Sequence, residues 1–167
     1  MRYNAEQIAQ HFRLSPHPTC GIVSEPYCSS LRIPAADLPE GYGGARALGN
    51  VLNFLVTPTA HVHLHRIRSD QMYHFYLGDP LEVLVLRGDG YGKVLTLGHD
   101  IDAGMEPQLF LPGGTFHTAR VTPGGSYAFL ATSVWLRAEP EDVEMGDPNK
   151  LSDAYPTLRD LIADFTQ

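Results

Sequence analysis

Three histidines, His61, His63 and His65, recur at every second residue in the stretch TAHVHLH (59–65). Imidazoles at that spacing suit a transition-metal site, a polar pocket lining or a solvated strand face. On a strand, alternate side chains share one face, so the spacing predicts that all three rings point the same way. Val62, Leu64 and Ile67 do not oppose them as a clean core set. A second segment, PGGTFH (112–117), combines a proline–glycine turn with His117 at the start of the following strand.

These histidines need a rigid frame. From Val51 onward the runs VLNFLVT, HVHLHRI, QMYHFYLG, LEVLVLR, GKVLTLG, QLFLP, TFHTARV and YAFLATSVWL read as eight strands at short spacing. Turn residues in TPTA, RSD, GDP, GDGY, GGT and PGGS break them. That rhythm predicts an all-β barrel or jelly roll. Ahead of it, NAEQIAQHFRL (4–14) sets Ile8, Ala9, Phe12 and Leu14 along one helical face, with Asn4 as N-cap and Pro16 as the stop. Residues 15–50 form an irregular arm, with SSLRI as a short strand. In the tail, Leu158, Leu161, Ile162 and Phe165 form one apolar face of a helix packed outside the barrel. The expected organisation is a single domain over 1–167, with helix and arm in 1–50, barrel in 51–137 and tail in 138–167.

Composition narrows the function classes. At 43% hydrophobic and 19% charged residues the chain has the make-up of a soluble globular domain. A net charge of −7 disfavours nucleic acid and anionic membranes as partners. No apolar run approaches the length of a bilayer span, and MRYNAEQIAQHF lacks the apolar core of a signal peptide, so a cytoplasmic protein is expected. In that compartment Cys20 and Cys28 are expected as free thiols.

The two histidine segments resemble the paired motifs of the cupin superfamily, HxH–spacer–Glu–Gly and PxGxxH. The first maps onto His63, His65, Gln71 and Gly78, and the second onto Pro112, Gly114 and His117. The first motif departs twice, by a spacer one residue longer and by Gln71 in place of the acidic ligand. A narrower likeness joins most of the chain to the DUF985 (cupin 5) group. HRIRSDQMYHFYLGDPLEVLVL resembles that group's HRLxSDExWHFYxGDPL, and SPHPTCGIVSEPYCSS resembles its HPEGGYFxETYRS. LGHDIDAGMEPQLFLPGGTFHTARV resembles its LGxDxxxGxxPQxxVPAGxWQxA, and EDVEMGD its acidic FExFELG element. The group pattern carries serine at the position of His63, glutamate at Gln71 and glutamine at His117.

The resemblance implies a cupin double-stranded β-helix, that is, a jelly-roll barrel with a short N-terminal and a C-terminal helix. It further implies His63, His65, Gln71 and His117 as metal ligands. Three neutral imidazoles and an amide oxygen can hold a borderline divalent ion such as Zn, Fe, Ni, Mn or Cu. Without a protein carboxylate the ion would favour a bound anion or hydroxide. The same pocket without metal would serve proton transfer or anion binding. Both readings stand open. Glu25 and Tyr27 match the group's ExY element, which makes Glu25 a candidate general acid or base over the barrel mouth, against a plain salt-bridged role. Tyr73 shares a face with Gln71 and is the second catalytic candidate, against simple aromatic packing. His74 is expected to face away in a structural hydrogen bond, Arg66 to pair with Asp70, and His11 and His17 to lie on the surface.

The resulting expectation is a barrel that binds a small polar metabolite, such as a sugar or keto acid. It would act as a metal-dependent or acid–base enzyme of epimerase/isomerase or dioxygenase type, or as a non-catalytic small-molecule-binding module. A homodimer is expected, because cupins pair often and unpaired edge strands are a liability.

Overall fold

A computed structural model of the chain describes residues 3–166. Helix α1 (Ala5–His11) opens with a reciprocal capping box between Asn4 and Gln7 and is followed by Arg13 in the left-handed region. The arm then contributes β1 (Ser15–Pro16), β2 (Ile22–Cys28), β3 (Arg32–Ile33) and β4 (Arg46–Ala47). Eight longer strands follow. They are β5 (Asn50–Val56), β6 (Val62–Ile67), β7 (Asp70–Gly78), β8 (Leu81–Leu86), β9 (Gly92–Leu97), β10 (Gln108–Leu111), β11 (Phe116–Val121) and β12 (Ala128–Trp135). The tail adds β13 (Val143–Met145), α2 (Pro148–Ala154) and α3 (Arg159–Phe165).

Eleven of these strands form two stacked sheets, ordered β1-β2-β5-β12-β7-β10 and β13-β6-β11-β8-β9, and β3 and β4 pair separately. Alternation explains what lies between them. Phe54, Val56, Tyr73, Phe75, Val83, Val85, Ala119 and Leu130 all point inward and form the main core. The outward set of the five-stranded sheet, including Leu64, Leu84 and Leu86, packs under Ile162 and Phe165 of α3. Full burial of each such side chain contributes about 1.5–3 kcal/mol. On the other sheet, Leu55 and Phe129 pack with Tyr127 under Ile8, Ala9, Phe12 and Leu14. The all-β double-stranded β-helix with short helices at both ends is therefore present; the N-terminal helix ends at His11 rather than running to Leu14, and Phe12 and Leu14 pack from the turn that follows it.

Four local expectations are corrected. The arm is not irregular throughout, since β2 pairs with β5 over most of its length and so extends the sheet. Proline at 26 and a register shift between Ser24 and Tyr27 had hidden that strand. Arg66 pairs with Glu144 (Nη2–Oε2 2.6 Å), because β13 lies beside β6, while Asp70 accepts the Gly113 N–H at 2.8 Å. His17 lines a cavity. The fourth correction concerns the histidine row and belongs with the site.

One buried ion pair fixes the arm to the tail. Arg46 of β4 donates Nε to Asp142 Oδ2 (2.7 Å) and Nη2 to Oδ1 (3.1 Å), with both side chains buried. Glu141 and the Gly44 carbonyl take further guanidinium N–H groups, so little of the fork is left unsatisfied.

Candidate functional site

The row HVHLH does not keep strict alternation. β6 runs antiparallel to β11 with His65 opposite His117 and Val62 opposite Ala119, so three steps on β6 span two on β11. That bulge lets Val62 and His65 both face the core, while Leu64 faces the helical layer and the His63 ring is exposed. His61 and His63 meet edge to face on the outside, with centroids 4.7 Å apart. The expectation that all three rings share one face is thus replaced. His63 serves the interior through its backbone, whose carbonyl accepts His65 Nδ1–H at 2.7 Å.

That bond sets the His65 tautomer. With Nδ1 carrying the proton, Nε2 presents a lone pair, and it meets no hydrogen-bonding partner among the described residues. His117 has the same tautomer but a different outcome. Its Nδ1–H donates to the Thr115 carbonyl (3.2 Å) and its Nε2 accepts the Tyr73 hydroxyl proton (3.0 Å). The two rings pack 4.4 Å apart between centroids. Burial disfavours the imidazolium of both, lowering His65 to about 4 and His117 to about 3. Burial also lifts the Tyr73 hydroxyl well above the usual phenol range. At neutral pH the trio is uncharged.

A cavity of about 500 Å³ opens beside His65. His65, Gln71, Thr132, Asn50, Thr19 and Cys20 supply its polar wall, and Leu52, Ile67 and Val134 its apolar one. The inward parity of β5, β7 and β12 places Asn50, Gln71 and Thr132 there. Thr132 Oγ1 donates to Gln71 Oε1 at 3.4 Å, leaving the Gln71 amide N–H groups without a partner among the described residues. The Oδ1 of Asn50 is buried and meets no donor there either. Burial pushes the Cys20 thiol up to about 11, so it is neutral.

Arg137 and Glu139 line the same cavity at its rim. Arg137 bonds Glu25 (Nε–Oε1 2.9 Å) and Glu139 (Nη1–Oε1 2.7 Å), and Asn50 Nδ2 donates to Glu25 Oε1 at 2.7 Å. Burial works against the Glu25 carboxylate, but the Arg137 and Asn50 hydrogen bonds outweigh it and hold its pKa low. Glu25 is thereby salt-bridged, and Tyr73 lies beneath His117. Sequence reasoning missed Asn50, Thr132, Arg137 and Glu139. Strand parity could have found the first two, whereas the last two follow the final barrel strand and carried no pattern. His74 faces outward as expected, with Nε2 to Ser133 Oγ and Nδ1 to Gln108 Nε2, each 3.0 Å.

The donor set can be tested against a metal ion. His65 offers a free lone pair, but the Nε2 of His117 is held by Tyr73, the Gln71 oxygen is held by Thr132, and the His63 ring lies outside. Among the described residues no three His, Cys, Asp or Glu side chains are gathered to hold an ion. In this arrangement the four residues do not fit a metal centre.

Residues 6–145 match the profile described as "Cupin superfamily (DUF985)". A hypothetical protein from Leishmania major superposes with a TM-score of 0.87 at 26% identity, covering 98% of each chain. A Shewanella oneidensis protein superposes at 0.84 with 23% identity, covering 99% of this chain and 98% of its own. A Bacillus subtilis oxalate decarboxylase mutant shares the fold at 0.52 and 11% identity, over 89% of this chain and 36% of that one. No curated protein matches the chain.

Proposed function

Because the chain belongs to the DUF985 family of the cupin superfamily, we propose that its barrel cavity binds a small, neutral, hydroxyl-bearing metabolite and holds it without a metal. One observation carries this reading: the partnerless Nε2 of His65 on the wall of a cavity of about 500 Å³. The nitrogen meets no donor from the described residues and opens onto the cavity, where a ligand hydroxyl would satisfy it. The Gln71 amide beside it supplies a donor, so a hydroxyl could give to His65 and accept from Gln71. Charge favours the same class, since Glu25 and Glu139 outnumber Arg137 at the rim and repel anions. Sugars and polyols fit this better than keto acids. Glu25 fixes the rim, and Tyr73 orients His117.

The second reading is a metal-dependent or acid–base enzyme of epimerase/isomerase or dioxygenase type, with Glu25 and Tyr73 moving protons. What favours it is the tilted pair of neutral imidazoles beside a partly apolar cavity. It would require His63, His65, Gln71 and His117 to rearrange around an ion such as Zn, Fe, Ni, Mn or Cu. A single cupin domain, a cytoplasmic location, a homodimer and no nucleic-acid partner complete the proposal.

The test is to purify the untagged protein, measure its metal content, and identify small molecules released on denaturation. A retained polyhydroxylated compound with substoichiometric metal is expected, lost on His65→Ala. Failure of D-glucose, myo-inositol, gluconate and pyruvate alike to perturb cavity NMR resonances, with nothing retained, would sink the binding reading. A stoichiometric metal would move support to the second.

A further inference from the structure

The turn between β1 and β2 carries His17 to the wall of the same cavity as His65. Its Nδ1 accepts the Thr19 backbone N–H at 3.3 Å and lies 3.2 Å from Thr19 Oγ1. Burial lowers the His17 pKa, so the ring is neutral at physiological pH. A nitrogen that accepts carries no proton, so neutral His17 keeps its proton on Nε2. The Thr19 hydroxyl must then donate to Nδ1, and it accepts in turn from the neutral Cys20 thiol at 3.3 Å. The chain from Cys20 through Thr19 to His17 therefore runs in one direction and ends in an N–H. That Nε2–H meets no partner among the described residues.

The two histidines on the cavity wall are thus opposite in kind, His17 offering a donor and His65 an acceptor. They are near enough that charge on His17 works to lower the pKa of His65. Gln71 adds amide N–H groups that also lack a partner among the described residues. The Oδ1 of Asn50 is a second acceptor without a donor, but it is buried within the wall. Open donors therefore outnumber the acceptors a ligand can reach. A ligand oxygen seated on His17 fits best when it has no proton of its own to place, as in a carbonyl or a ring ether.

We propose that His17 sets ligand specificity, holding a carbonyl or ring-ether oxygen on its Nε2–H while His65 takes the proton of a neighbouring hydroxyl. The preferred class is then a neutral hydroxy-carbonyl compound, a reducing sugar in its cyclic or open form, over the polyol of the same skeleton. This rests on the metal-free binding reading and narrows it. In a pyranose the ring oxygen and the anomeric hydroxyl share one carbon, which supplies both functions side by side. A polyol offers the hydroxyl, but the oxygen it sets on His17 brings a further proton with no open acceptor to meet it. An ammonium group suits His65 alone, because it has nothing with which to accept from His17.

NMR titration of the purified protein tests this with D-glucose against D-glucitol, and dihydroxyacetone against glycerol. The members of each pair differ only in the oxidation level of one carbon. The carbonyl-level member is expected to bind about fivefold tighter, the worth of roughly one net hydrogen bond. A preference in the first pair alone assigns the ring oxygen to His17, and in the second alone the open carbonyl. His17→Ala should erase the preference while D-glucitol still binds, and His17→Gln, which keeps an N–H, should retain part of it. Nitrogen-15 shifts of the His17 ring read its tautomer in the unaltered protein. A proton on Nδ1 overturns the proposal, as does a preference that is absent from the wild type or survives in His17→Ala. Failure of all four compounds to bind sinks the binding reading and the proposal together, whereas equal binding within both pairs sinks the proposal alone.

Discussion

The imidazoles of His65 and His117 lie 4.4 Å apart between centroids with their planes tilted by 52°, yet they hydrogen-bond different partners and not each other. His117 is saturated by Tyr73 and the Thr115 carbonyl, while His65 keeps one nitrogen open on the cavity wall. Two residues that look equivalent in the sequence therefore differ in the structure, one saturated by protein partners and one open to the cavity.

Acid sensitivity follows from their burial. Their folded values of about 4 and about 3 lie below the 6.5 of an unfolded chain. As pH falls below 6.5 the unfolded chain takes up protons that the folded chain refuses, so stability drops. Each unit of difference is worth about 1.4 kcal/mol, giving a loss of several kcal/mol by pH 4. Urea midpoints should be flat above pH 6.5 and fall steadily below it. The slope between 6.5 and 5 should shrink in a His65→Gln, His117→Gln protein. An unchanged slope there would falsify the assignment.

Tyr73→Phe should destabilise the protein by about 1–3 kcal/mol, because it strands the buried Nε2 of His117. Losing the hydroxyl proton donor also makes protonation of that nitrogen easier. NMR of the His117 ring should show its pKa move up toward the ordinary value, an effect that lost packing alone would not produce.

His63→Ala and His65→Ala should separate cleanly. The His63 ring is exposed on the outer face, so its loss should change stability by no more than about 0.5 kcal/mol and leave a retained ligand in place. His65→Ala should release the ligand. Mass spectrometry of the purified proteins reads this directly, and loss of a stoichiometric metal from His63→Ala would count against the metal-free cavity.

Asp142→Asn should cost up to about 3–5 kcal/mol, since it leaves the buried Arg46 guanidinium with only the exposed Glu141 carboxylate beside it. Replacing both partners, Arg46→Met with Asp142→Leu, should cost less than the single change. Denaturant unfolding of the three proteins checks the order.

Two glycines of the matching motifs should respond unequally to alanine. Gly78 has φ +110° and an added methyl would run into the Tyr127 carbonyl, so strain of roughly 1–3 kcal/mol is joined by a steric clash. Gly114 has φ +79° with nothing within 4 Å of the methyl, so only the backbone term remains, about 1–2 kcal/mol. Thermal melting should rank Gly78→Ala well below Gly114→Ala.

Much of the barrel could be read from the chain because period-two alternation is a local signal. All eight runs from Val51 onward are strands, and Gln71 and Tyr73 share the inner face as their spacing required. The bulge at His63 and Leu64 escaped for the opposite reason: it arises from the register with β11, some fifty residues away, and nothing in HVHLH announces it. Arg137 and Glu139 escaped likewise, since only the tertiary path of the chain beyond β12 carries them to the rim. Local pattern reached the frame, while pairing decided which histidine entered it.

The sheet order has a consequence for synthesis. Strand β12 lies between β5 and β7 in the middle of its sheet, yet it is the last of the eight barrel strands to leave the ribosome. Until residue 135 emerges, β5 and β7 each present an unpaired edge and one open apolar face. At roughly 5–20 residues per second the nascent chain stays unclosed for several seconds. Stalled or truncated products ending before Ala128 should thus be the sticky species in the cell.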